Sequence, residues 1–342
     1  CHLRFFLAFK IFTSNGFKLF ENFSSTFKII LLLVFNTQCF TQYNAIDTLL
    51  KVDTVSMKVD TIPNFKKRQT IVAVSNLLLY TGSILALNKV WYANYPKSSF
   101  HLYNDGGEWL NMDKVGHAYS AYQISRLQFN TLKWAGVKPK KAVLYSSLTS
   151  IGYQTIIETL DGFSSGWGWS WKDMAANGLG TGLWASQQLA WGEQKVKLKF
   201  STHYNKYSDP QLEYRNNQLF GKFFTERLLK DYNAQTFWLS ANINAICPKL
   251  PAPKWLNIAI GYGAENMFGG FANNWSTPTG DVARMDLKRY AQWYLSLDVD
   301  FERIPTKSKA LKSLFYVLDA IKMPAPTIML ANGKISGQWL YY

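Results

Sequence analysis

The hydrophobic period of this chain changes once, near residue 193, and that change constrains the fold more than any other feature. Upstream, apolar positions recur at helical spacing: Val115, Ala118, Ala121, Ile124 and Leu127 form one stripe of a segment from Asn111 to Ala135. Downstream, Lys195 to His203 alternates Val196, Leu198 and Phe200 with Lys195, Lys197 and Lys199, the period of a half-exposed strand. Helices followed by strands, rather than interleaved with them, predict an α+β fold. It comprises an N-terminal helical bundle, eligible by composition to be membrane-embedded, and then a mostly antiparallel β-rich region with helical insertions. The implied divisions are 1-42 for a targeting segment, 43-68 for a linker, 69-192 for the helical domain and 193-342 for the β-rich domain.

Local signals refine this outline. Pro139 opens a helix from about Lys140 to Thr159 whose apolar positions are diluted by small polar residues. The Gly-rich loop from Asp161 to Trp169 leads to Ser170 and Asp173, a start resembling a capping box, and the next helix runs to about Trp191. Within it, Ala176 with Gly180 and Gly178 with Gly182 let a neighbouring helix approach closely. Strands are predicted over 236–246, 255–267 and 290–301, the last with Ala291, Trp293, Leu295, Leu297, Val299 and Phe301 on one face and Gln292, Ser296, Asp298 and Asp300 on the other. Helical insertions cover 212–231 and 307–321, and a short strand closes the chain at 335–342. Four or five strands are too few for an autonomous transmembrane barrel. The terminal Trp339-Leu-Tyr-Tyr342 resembles the aromatic end of such barrels, but Ser336 and Gln338 break the apolar alternation. The sheet is therefore expected to pack on its own helices or to lie at a membrane surface.

Several features point to export. The chain opens at Cys1 and its first Met is Met57, so residues before about 27 carry little weight. Lys28, the apolar run Ile29 to Phe35 and the polar Asn36 to Gln42 follow the order of a secretory signal. Cys39 is preceded by Asn36-Thr37-Gln38 rather than by small residues, so lipidation there is not expected. Residues 71–88 carry no charge and are long enough to cross a membrane, although polar residues dilute them. Cys1, Cys39 and Cys247 share no metal-ligand spacing. A net charge of +15 and 16% aromatic residues suit anionic lipid or acidic glycan at an envelope surface. An exported chain would be kept from nucleic acid, so none is expected as a partner.

The candidate site lies in the helical half. Asp113 and His117 are spaced i,i+4, Glu158 and Asp161 i,i+3, and Asp173 and Asn177 i,i+4, so each pair shares a helix face or its edge. Ionisable groups on otherwise apolar helices cost several kcal/mol unless they meet partners, which predicts that the three faces converge, with Lys114 balancing the carboxylates and Gln154 extending the network. Such a cluster is either a brace that holds helix register or a working site with His117 as acid/base. With no second His nearby, neither a tightly bound metal nor another cofactor is called for.

The ordered motifs Asp113-Lys114-Val-Gly-His117, Glu158-Thr-Leu-Asp161-Gly162 and Asp173-Met-Ala-Ala-Asn177-Gly-Leu-Gly180 resemble the YfiM-type family of predicted bacterial envelope lipoproteins, a domain of unknown function, over about residues 108 to 192. More remotely they are similar to VanZ-like membrane proteins. The resemblance implies an envelope location, on the periplasmic side of the inner or outer membrane. The reading is an envelope binding or scaffold protein that contacts membrane lipid or envelope glycan. The alternative is an envelope enzyme acting on a lipid or cell-wall precursor, with Asp113, His117, Glu158 and Asp173 as its catalytic candidates.

Overall fold

A computed structural model describes residues 64–92, 95–278 and 280–341. The signal-like segment and most of the 43–68 linker lie outside the described residues. The fold is α+β, with helices first and a mostly antiparallel sheet with helical insertions after them.

Among the described residues four α-helices precede the sheet: α1 (Phe65–Leu87), α2 (Met112–Trp134), α3 (Pro139–Gly162) and α4 (Trp171–Ala190). Pro139 sits in the first turn of α3, where its missing N–H is not needed, and the Ser170 hydroxyl caps α4 by accepting from the N–H groups of Lys172 and Asp173. The Asp173 carboxylate does not complete the capping box; the Ser170 N–H instead points at Glu158 Oε2, 3.3 Å away. Helices α2, α3 and α4 enclose a core of Tyr122, Phe129, Leu132, Ala142, Val143 and Trp184, with the Phe129 and Trp184 rings edge to face at 5.4 Å. Gly180 is where α4 meets α2: a Cβ there would lie 1.9 Å from the Ala118 carbonyl oxygen, so only glycine permits this approach. Helix α1 is long and apolar enough to cross a membrane by length and composition, and only Val72, Tyr80 and Ile84 are buried in it.

The strands are β1 (Val196–Thr202), β2 (Gln235–Asn242), β3 (Leu256–Glu265), β4 (Asn274–Thr277), β5 (Gly280–Ala283), β6 (Tyr290–Val299), β7 (Ala325–Ala331) and β8 (Lys334–Tyr341). Six of them form an antiparallel sheet in the order β1-β2-β3-β6-β7-β8, while β4 and β5 form a separate hairpin. The insertions are α5 (Pro210–Phe220), α6 (Phe224–Lys230), a single turn α7 (Ile243–Ile246) and α8 (Lys309–Leu318). Among the described residues eight strands thus replace the four or five expected. The hairpin and β7 are too short and too mixed in polarity to show as periodic runs.

The alternation predicted along β6 is present, but its sense is unusual. Ser296, Asp298 and Gln292 face inward and are buried, whereas Trp293, Leu295 and Leu297 face outward and are exposed. The sheet curls, so that Tyr341 of β8 reaches Trp238 of β2 at 5.9 Å between ring centroids and bonds the Thr236 hydroxyl at 2.8 Å. Gly261 leaves room for the Trp238 ring, which a Cβ would meet at 2.7 Å. Inside the curl, Lys199 is fully buried against Asp298 at 2.9 Å, and Lys197 lies 2.7 Å from both Asp300 and Asp319. The helical half covers the β1 end of the sheet's apolar face, with Leu198 packed on the helical core and Phe200, Phe237 and Tyr262 beside Met112 and Tyr119 of α2.

Candidate functional site

The site forms where the first turns of α2 and α4 meet the last turn of α3. Residues 98–103 run beside the α3–α4 connection, with backbone bonds from Ser98 to Phe163, from His101 to Gly162 and between Tyr103 and Trp169. This brings Asp105 under the start of α4. Trp109, Leu110 and Asn111 then take left-handed backbone angles, with φ of 48°, 51° and 62°. The Trp109 N–H donates to the Gly270 carbonyl at 2.7 Å and Tyr262 donates to the Leu110 carbonyl at 2.5 Å, so the strand half anchors this turn. Asp113 and Asp173 both fall in helix first turns, where the backbone dipole favours negative charge.

Six of the seven residues singled out by spacing converge. The Lys114 ammonium contacts Asp105, lies 2.9 Å from Asp113 Oδ2 and 2.6 Å from Asp173 Oδ1. The His117 ring sits between carboxyl groups: Nδ1 is 3.6 Å from Glu158 Oε1, and Nε2 is 3.7 Å from Asp113 Oδ1 and 3.9 Å from Asp173 Oδ1. Its one hydrogen-bond partner in the cluster is Asn177 Oδ1 at 3.2 Å. Glu158 and Asn177 are fully buried, and Glu158 Oε1 and Asn177 Nδ2 make no hydrogen bond. Gln154 reaches only the His117 backbone carbonyl, at 3.4 Å. Asp161 corrects the expectation of convergence: at the end of α3 it turns away and accepts from the Tyr92 hydroxyl at 2.7 Å.

Two members had no spacing signal. Asp105 lies in a turn that reads as loop, and it accepts from the Ser170 hydroxyl at 2.7 Å as well as from Lys114. Tyr232 comes from the strand half, 119 residues from Asp113, and donates to Asp113 Oδ1 at 2.9 Å. Only the tertiary fold brings these residues together.

Burial and charge separate the carboxyl groups. Burial pushes Glu158 up to about 8, against the opposing charge of His117. It pushes Asp173 up to about 9, helped by the charge of Asp113 and a hydrogen bond shared with Asp105, and opposed by Lys114. Burial also acts to raise Asp113, but His117 and Lys114 outweigh it and the net shift is downward. For Asp105, bonds with Asp173 and Lys114 likewise outweigh burial and lower it. Burial works to discharge Lys114, yet Asp113 and Asp173 hold its affinity for the proton above the usual lysine range. The cluster therefore pairs ionised Asp105 and Asp113 with protonated Asp173 and Glu158 near neutral pH. Asp113, His117 and Asp173 offer three donor atoms within 4.8 Å of one another, a spacing able to hold a metal ion. The Lys114 ammonium already occupies the cationic position against two of those donors, and it repels a second cation there.

Residues 102–187 match the profile of a family described as a predicted periplasmic lipoprotein (DUF2279). The matched region contains every member of the cluster except Tyr232. The description agrees with an exported, envelope-associated protein of an uncharacterised family. No curated protein and no solved structure matches the chain.

Proposed function

We propose that this exported envelope protein is a membrane-associated binding or scaffold protein, and that the polar cluster is the brace that fixes its helical half. The observation that carries this reading is the placement of Lys114. Its ammonium is gripped by carboxyl groups from three chain segments, the ionised Asp105 before α2 and Asp113 within it and the protonated Asp173 on α4, so the charge of the site is satisfied internally. Tyr232 extends the same brace to the strand half. The partner is membrane lipid or envelope glycan, a reading supported by the +15 charge and the aromatic content.

A second reading is an envelope enzyme acting on a lipid or cell-wall precursor, with His117 as acid/base, oriented by Asp113 and coupled to Glu158 and Asp173. The favouring observation is the half-buried His117 ring set among three carboxyl groups, beside the unpaired Glu158 Oε1. Lys114→Met and His117→Ala separate the two. The brace predicts that Lys114→Met loses about 3–5 kcal/mol of stability, since it strands the ionised Asp105 and Asp113 and removes the partner of Asp173, and that any loss of envelope-stress resistance follows protein abundance. A His117→Ala protein as stable and abundant as the parent, in cells that have lost resistance, would instead establish a working site.

A further inference from the structure

The curled sheet is built with its polar residues inside and its apolar residues outside. On the inner face Lys197, Lys199, Ser240, Ser296, Asp298 and Thr327 are buried, and Trp238, Tyr294 and Tyr341 fill the space between them. On the outer face Leu239, Ile258, Ile260, Leu295, Leu297 and Ile328 are all exposed, Ile260 by 54%. Strand pairing puts these outer residues side by side: Leu239 is opposite Ile260, Ile260 opposite Leu295 and Leu295 opposite Ile328, with Ile258 opposite Leu297 in the next row. They form a continuous band, and an open groove of about 510 Å³ runs through it between Ile258, Leu297, Ile328 and Trp339, whose ring is 90% exposed. A sheet facing water has the opposite arrangement, and apolar bands of this extent mark lipid or partner contact.

Two observations choose lipid. The first is height. Trp293, Leu295 and Leu297 span four residue steps of β6, roughly 14 Å at about 3.4 Å per residue. That is close to half of a hydrocarbon core of roughly 30 Å, one leaflet rather than a crossing. The second is the rim. The β2–β3 connection, residues 243–256, lies at the end of the band marked by Ile258 and Leu297 and carries Lys249 and Lys254 with no acidic residue. Ile246, Leu250 and Trp255 are exposed on it, so basic, aromatic and aliphatic side chains alternate as they do in segments that sit at an anionic headgroup layer.

We propose that the outer face of this sheet, with residues 243–256 as its basic rim, seats in one leaflet of an anionic bilayer. The proposal rests on the membrane-associated reading and adds the surface responsible. The competing occupant is a second copy of the chain, because hydrocarbon would leave the free backbone edge of β8 unpaired. The test uses the full chain with Cys1→Ser, Cys39→Ser and Cys247→Ser, carrying either Leu295→Cys or Asp281→Cys labelled with an environment-sensitive fluorophore. Both positions are exposed, so neither label disturbs the interior. With phosphatidylglycerol/phosphatidylethanolamine vesicles, the label at 295 should shift to the blue and be quenched several-fold by brominated acyl chains, while the label at 281 should not respond. Lys249→Glu with Lys254→Glu should weaken binding several-fold, as should replacing the anionic lipid. Vesicle binding with an unresponsive label at 295 overturns the proposal while leaving membrane association, through another surface such as α1, intact. A blue shift that needs protein concentration but no vesicle, with dimer-sized particles, assigns the face to a second copy and also overturns it. Absence of vesicle binding overturns this proposal and the membrane-associated reading together.

Discussion

Glu158 gives the sharpest test of the electrostatics. Its side chain is fully buried, and burial moves its proton release from 4.5 to about 8. A carboxyl raised in this way binds its proton more tightly in the folded chain than in the unfolded one, so it weakens folding progressively as pH climbs from 4.5 toward 8 and adds no further loss above that. At about 1.36 kcal/mol per pH unit the whole interval is worth at most roughly 4–5 kcal/mol, and the stretch from pH 5.5 to 7.5 about 2.7 kcal/mol. Glu158→Gln removes this titration but keeps an acceptor for the Ser170 N–H and the side-chain volume. The variant should therefore gain on the parent as pH rises, by about 2–3 kcal/mol between pH 5.5 and 7.5, a relative shift of roughly 4–8 °C in Tm. Thermal and urea denaturation of both proteins across this range measure the difference, in which the other raised carboxyls, Glu108, Asp161, Asp173 and Asp231, largely cancel. Parallel pH profiles for the two proteins would mean that Glu158 is ionised throughout and that the assigned proton inventory of the cluster is wrong.

Other perturbations test separate parts of the structure. Gly180→Ala should cost about 1–3 kcal/mol, because its Cβ meets the Ala118 backbone, whereas Gly182→Ala, with nothing within 4 Å, should be neutral or stabilising by up to ~1 kcal/mol; urea midpoints of the two variants make the comparison. Lys199→Met should lose roughly 3–5 kcal/mol by leaving Asp298 and Asp319 without a fully buried partner, read as a fall in Tm. Burial acts to raise Asp319, but Lys197, Lys199 and Arg126 hold it far below the usual carboxylate range. Its stabilisation is present above about pH 4 and lost as pH falls through its folded value, so acid titration should unfold the strand half cooperatively. Tyr232→Phe should cost about 1 kcal/mol by removing the bond to Asp113, measurable by chemical denaturation.

The order of elements and most of the site were legible in the chain itself. Helical period before residue 193 and alternation after it are local consequences of how side chains project from each backbone, so α2, α3, α4 and β6 appear within a few residues of their predicted bounds. The convergence of Asp113, Lys114, His117, Glu158, Asp173 and Asn177 followed from a physical necessity, because buried ionisable groups must find one another. Spacing could not decide which groups lay at the edge of that cluster. Asp161 is one residue short of the end of α3, and a small change in direction there gives it to Tyr92 instead.

What the tertiary structure alone decided is the set of long-range partners and the sense of the sheet. Asp105 and Tyr232 have no periodic relation to the helices they brace and reach them through a loop and a strand-half turn. Alternation along β6 establishes two faces, one apolar and one polar, but not which of them closes on the interior. That depends on curling across all six strands, which puts Lys199, Asp298, Trp238 and Tyr341 together inside and leaves the leucines and isoleucines outside. Local period is a property of neighbouring residues, whereas inside and outside are properties of the closed surface, and only the folded chain has one.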